Sequence, residues 1–167
     1  MPEASDGHSP RPPEGDWLGT KFLKFTREGP FAILTLDSPR LRRLVTGCEV
    51  LLLQLEIPLA VATAAAREAR SGGATVIVNA SPASDDSDAL AALAEVSDVV
   101  VVNEAEAKRW TWPVPHLVVT QGAAGARYSG DDGECTVAAP AVDAVDTSGA
   151  GDVFAGVLAA SWTTGRE

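Results

Sequence analysis

Cysteine is almost missing from this chain: Cys48 and Cys135 are the only two in 167 residues, and neither sits in a CxxC or Cys/His spacing. That excludes a disulfide framework and offers no zinc-site pattern. Basic runs are missing as well, Arg40 to Arg43 being the densest, while 23 acidic against 13 basic residues give a formal charge of −10. A surface of that sign repels phosphate backbones and anionic lipids, so neither nucleic acid nor membrane is an expected partner. No apolar stretch approaches the roughly 18 residues a membrane-spanning helix needs. The first sixteen residues, MPEASDGHSPRPPEGD, lack the apolar centre of a secretion leader. The expectation is a soluble, cytoplasmic chain, in which the formal glycosylation match at Asn79-Ala80-Ser81 carries no meaning. What the chain does have is 46% apolar residues, enough to bury one core.

Its organisation follows from periodicity and punctuation. Residues 1–16 carry four prolines and no apolar pattern, which marks a flexible tail. Residues 17–29 are ambiguous, FAILTL (31–36) predicts a strand, and SPRLRRLVTG (38–47), with its Ser cap and Pro, predicts a short helix. VLLLQL (50–55) predicts a buried strand, Pro58 opens an Ala-rich helix over 59–71, Gly72-Gly73 ends it, and ATVIVN (74–79) is the next strand. The cycle repeats with a helix near 87–96, the strand DVVVV (98–102), a short helix from 104 and the strand HLVVT (116–120). Unbroken apolar strands imply a parallel sheet covered on both faces. After Gly125 the period changes, and GARYSGDDGECTVAA predicts two strands joined at Asp131-Asp132-Gly133. The expected fold class is therefore α/β, a layered and mostly parallel sheet flanked by helices, with an antiparallel hairpin at one edge. No fixed-period repeat is visible.

In such a sheet, ligands gather at the carboxyl ends of the strands, and three polar stretches fall there. Asp146-Thr147-Ser148-Gly149-Ala150-Gly151-Asp152 leads into a predicted helix starting near 150. Its glycines permit close backbone approach, the first helical N–H groups lack intrahelical partners, and the helix dipole favours an anion. Asp152 in the first turn could accept a proton from an attacking hydroxyl. The same string also serves as a plain capped turn before a core helix. It is no P-loop, and Phe154 stands where a dinucleotide fingerprint has its third glycine. Asn103-Glu104-Ala105-Glu106 has the spacing of a capping box, and equally of groups that hold a hydrated magnesium ion beside phosphates. Thr120-Gln121-Gly122-Ala123-Ala124-Gly125 links two strands, either as an ordinary turn or as backbone approaching a ligand. Gln54-Leu55-Glu56 ends a strand where a carboxylate could face solvent or accept hydrogen bonds from a sugar. His8 and His116 have no triad partners at any evident spacing.

LLLQLEIP (51–58), VIVNASPA (76–83), VVNEAEA (101–107), LVVTQGAAGARY (117–128) and VDTSGAGDVFAGVLAA (145–160) occur in the order found in the ribokinases. Over residues 40–162 the chain resembles this branch of the PfkB family of carbohydrate kinases. The resemblance implies a partial ribokinase-like domain over 38–167, preceded by a disordered or atypical segment over 1–37. It implies Asp152 as catalytic base, with the N–H groups of Ala150, Gly151 and Asp152 as an anion hole. It implies Glu56 as a sugar ligand, and Asn103 with Glu106 as organisers of phosphate and Mg2+, Glu106 acting through water. Thr120, Gln121, Gly122, Ala123, Ala124 and Gly125 would line the ATP site, and the carbonyls at Asp146 and Ser148 would hold a monovalent cation such as K+. The implied reaction moves the γ-phosphate of ATP to the primary hydroxyl of ribose, and a homodimer is a possible assembly. The family's glycine-rich front, its β-lid and its adenine-covering segment have no counterpart in this sequence. A non-catalytic remnant that binds nucleotide is the alternative, and an unrelated acidic α/β domain is the third.

Overall fold

The computed structural model describes residues 24–28, 31–35, 45, 47–131, 133–143 and 146–163. The predicted tail over 1–16 lies outside these, as does the predicted helix over 38–47 apart from a helical Val45 and a turn at Gly47. Strands β1 (Lys24–Glu28) and β2 (Phe31–Thr35) pair antiparallel as a separate two-stranded sheet. The main sheet has six strands in the order β3 (Val50–Gln54), β4 (Thr75–Asn79), β5 (Val99–Asn103), β6 (His116–Thr120), β7 (Ala126–Gly130) and β8 (Gly133–Val137). β3 to β6 are parallel, and β7 and β8 form the predicted antiparallel hairpin.

The parallel strands lie side by side in chain order, and right-handed crossovers then place every connecting helix on one face. Those connections are α1 (Leu59–Ser71), α2 (Ser87–Ala94) and the single-turn α3 (Glu104–Ala107). α1 lies against the sheet through an alanine stripe, Ala62, Ala65, Ala66 and Ala69, at the spacing of one helical face. Small side chains bring its axis close to the strands. It stops because Gly73 adopts φ 88°, which lets Ala74 N–H reach the Ala69 carbonyl at 3.0 Å and Gly73 N–H reach that of Arg70 at 3.0 Å. Leu53, Val76, Val78, Leu90, Leu93, Val100, Val102 and Val119 complete this core. Asp98 fastens its lower edge, accepting from Val76 N–H at 2.8 Å and pairing with Arg70 at 3.3 Å.

The opposite face is covered by one described helix, α4 (Ala150–Thr163). Phe154, Leu158, Ala159 and Trp162 pack there on Ile77, Val99, Val101 and Val118. Both faces of β4 and β5 are buried, as their unbroken apolar runs imply, but the covers are unequal. Only Ala155 of α4 is fully buried, while Val153 and Val157 stand 67% and 61% exposed. The carboxyl-terminal half of α4 is fixed by an aromatic cluster in which His116 meets Trp162 edge-on and bonds Tyr128 through Nδ1 at 2.7 Å. His116 is thus a packing residue, in keeping with its lack of triad partners.

Candidate active site

Side chains alternate along a strand, so residues that share parity share a face. Val50 and Leu52 pack under α4, as do Ile77, Val99, Val101 and Val118. By the same alternation Gln54, Asn79, Asn103 and Thr120 fall on the α4 side, each at the last position of its strand. Parallel registers align Gln54 with Asn79 and Asn103 with Thr120. The strands therefore end in a row of amides and a hydroxyl, at the rim where α4 begins.

Asp152 reaches this row. It lies in the first turn of α4, and its carboxylate oxygen Oδ1 accepts a hydrogen bond from Gln54 Nε2 at 2.5 Å. The approach to the helix is built by two local devices. Asp146 Oδ1 accepts from Ser148 N–H at 2.8 Å, a side-chain turn, and Gly149 takes φ 74°, a left-handed conformation that suits glycine. The bonds from Ser148, backbone first, hold the Asp146 carboxyl below its ordinary value of 3.8. Ala150 N–H donates to the Thr147 carbonyl at 3.1 Å, and Val153 N–H to that of Gly149 at 3.0 Å. Among the described residues the N–H groups of Gly151 and Asp152 have no backbone acceptor. Of the three N–H groups expected to meet an anion, Ala150's is engaged in the turn, and the other two are free.

Asn103 and Glu106 form the capping box in full. Asn103 Oδ1 accepts from Ala105 and Glu106 N–H at 2.9 Å each, and Glu106 Oε2 accepts from Asn103 N–H at 2.8 Å. Glu106 Oε1 takes a further bond from the Ser81 hydroxyl, and the Ser81 carbonyl accepts from Leu55 N–H at 3.0 Å. Capping consumes the oxygen of Asn103 and leaves its amide nitrogen as a donor. A carboxylate has about four lone-pair positions, so Glu106 keeps capacity for a metal-bound water after these two bonds. No group of three or more His, Cys, Asp or Glu side chains suited to a metal occurs among the described residues. That donor set fits magnesium carried mainly by phosphates and waters, and does not fit a protein cage.

The Thr120 to Gly125 connection is a short 3-10 turn (Gly122–Ala124) closed by Gln121 N–H to the Gly125 carbonyl at 2.8 Å. Gly125 has a reason of its own: a Cβ there would stand 1.9 Å from the Val137 carbonyl oxygen of β8. Gly122, at φ 56°, faces open space with Ala123 and Ala124 exposed beside it. Thr120 donates through its hydroxyl to the Val102 carbonyl at 3.3 Å. Glu56 is exposed, two residues past β3.

Sequence reasoning gave no separate role to Gln54, Asn79 or Ser81. Each lay inside a quoted motif; strand parity was the available signal for Gln54 and Asn79, whereas Ser81 lies two residues past β4. A cavity of about 210 Å³ on the α1/α2 side, lined by Leu55, Ala80, Ser84, Arg109, Trp110 and Trp112 among others, includes Glu106 but not Asp152. Concavity alone would put the chemistry there. The two N–H groups without a backbone acceptor and the Asp152 carboxylate lie on the other face.

A family model described as pfkB family carbohydrate kinase matches residues 42–167. A deoxyribokinase of Salmonella typhi is 34% identical over 131 residues, 67% of this chain and 42% of that protein. A ribokinase of Schizosaccharomyces pombe is 31% identical over 142 residues, 73% of this chain and 45% of that protein. The chain thus spans less than half the length of these curated relatives. Among solved structures, Arabidopsis thaliana ribokinase complexed with ribose and ATP superposes with a TM-score of 0.67 at 21% identity, over 82% of this chain and 53% of that one. The apo adenosine kinase of Trypanosoma brucei brucei gives 0.68 at 19%, over 87% and 58%. At these identities the superpositions establish the ribokinase-like fold.

Proposed function

The chain belongs to the pfkB family of carbohydrate kinases, and from that premise we propose that it carries the phosphoryl-transfer centre of an ATP-dependent sugar kinase acting on a pentose, ribose first. The observation that carries this reading is the Asp152 carboxylate, held by Gln54 at the strand rim beside two free N–H groups of the same helix turn. Asp152 orients the primary hydroxyl of the sugar and takes its proton as the new O–P bond forms. The bond from the γ-phosphorus to the bridging oxygen breaks, and ADP leaves with that electron pair. An aspartate is a weak base for an alcohol, so the proton moves late. Gly151 and Asp152 N–H, at the positive end of α4, stabilise the charge on the transferring group.

Glu56 accepts hydrogen bonds from the sugar hydroxyls, and the free amide nitrogen of Asn103 donates to phosphate. The Thr120 to Gly125 turn borders the nucleotide, with Gln121, Ala123 and Ala124 along it and Gly122 at its open side. Glu106 would hold Mg2+ through water, and the metal when bound would neutralise phosphate charge. The backbone carbonyls of Asp146 and Ser148 would hold a monovalent cation such as K+. ADP release on adding ribose or deoxyribose to purified chain with ATP, Mg2+ and K+ tests this. Asp152→Ala should lower kcat by about 10²–10⁴.

Saturable ATP binding with no sugar-dependent ADP release would instead support a chain that binds nucleotide without transferring phosphate.

A further inference from the structure

Gln54 has no role in the reaction as described, yet it is the side chain that touches the base. Resting on the reading of Asp152 as that base, we propose that Gln54 is its positioning residue. The amide donates from the last residue of β3 to Asp152 Oδ1 across 98 positions of sequence, at 2.5 Å. Oδ1 is thereby occupied and Oδ2 is left to face a hydroxyl. A carboxylate on an exposed helix turn otherwise turns about its side-chain torsions, and each misaligned rotamer removes it from the line of attack.

The support behind Gln54 is fixed. Val50 and Leu52, on the same side of the strand, pack in the α4 core, and Leu55 N–H is tied to the Ser81 carbonyl. Ser81 in turn donates to Glu106. A continuous line of bonds and backbone therefore runs from the Asn103 cap, through Glu106, Ser81 and Leu55, to Gln54 and Asp152. Glu56 follows two residues after Gln54, so the strand end expected to bind sugar also aims the base. The amide suits this place because it donates without adding charge. A lysine would pair with Asp152 and compete for its proton-accepting oxygen, and a leucine of similar volume would leave it unheld.

Two measurements on the whole chain test this. In the first, the Gln54 side-chain amide signals are assigned by their loss in Gln54→Leu and followed during acid titration by 15N-resolved NMR. They should shift as a neighbouring carboxylate is protonated, and the shift should vanish in Asp152→Ala. Gln54 signals that ignore both changes would overturn the proposal. In the second, Gln54→Leu and Gln54→Glu are assayed with ATP and pentose. Both should lose about tenfold or more in kcat while KM for sugar and for ATP stay within about twofold. An unchanged kcat in a variant with wild-type melting would overturn the positioning role, as would a loss confined to KM, which would make Gln54 a substrate ligand. Should Gln54→Leu fail to fold, Gln54→Glu, nearly identical in shape, decides. A wild-type chain without turnover would sink the proposed activity and the kinetic part of this inference with it, and the NMR titration would still decide whether Gln54 holds Asp152.

Discussion

The two faces of the main sheet are built to different standards. Under α1 and α2, Ala62, Ala66, Ala69, Val76, Leu93 and Val100 are fully shielded from solvent, and glycine and aspartate devices lock the edges. On the other face the one described helix, α4, covers four buried strand residues, presents exposed valines outward and begins in an exposed turn. The difference teaches where a fold of this kind keeps its stability and, on the proposed reading of Asp152, where it keeps its chemistry. A closed face can carry the folding free energy, and an open one can admit a ligand and let a carboxylate, an amide and free N–H groups meet it.

Substitutions on either side can break that comparison. Leu93→Ala, in the closed core, should cost about 2–5 kcal/mol in urea denaturation. Asp98→Ala strands the N–H of fully buried Val76 and removes the pairing with Arg70, and should cost about 1–3 kcal/mol. Leu158→Ala, half-buried on the sheet-facing side of α4, should cost only about 1–2 kcal/mol. Equal losses for Leu93 and Leu158 would mean the faces share the load, and the comparison would fail. The smallest effect lies in the approach to α4. The depressed Asp146 carboxyl supports its turn while ionised, so that contribution is present above its ordinary value of 3.8 and is lost as pH falls through its lower folded value. The Ser148 amide signal should follow that titration, and in Asp146→Ala it should stay still with global melting unchanged at neutral pH.

Much of this plan was legible before any coordinates. HLVVT is β6 and the Ala-rich helix spans 59–71, because apolar runs bounded by Pro58 and Gly72-Gly73 leave few other conformations. The capping box was readable from the spacing of Asn103 and Glu106, since its bonds are local. Long-range partners were not. Nothing in QLE says that Gln54 will meet Asp152, which depends on strand order and on α4 lying back across β3. Gly125 was read as an ordinary turn or as ligand approach, and its closeness to the β8 backbone, which leaves no room for a Cβ, could not be read from the sequence. The unequal covering was equally hidden, because an unbroken apolar strand reads alike under one helix or several.

Strand order also has a meaning in time. Each strand from β3 to β6 has as its neighbour the next one made, so the closed face can assemble stepwise during synthesis with short loops to close. α4 is made after all eight described strands and must return across 98 positions to Gln54. Closing so long a loop costs little more than closing one half as long, about 0.6 kcal/mol for each doubling. On a growing chain the rim of amides would stand finished before its aspartate arrives, and the proposed base would be the last part installed.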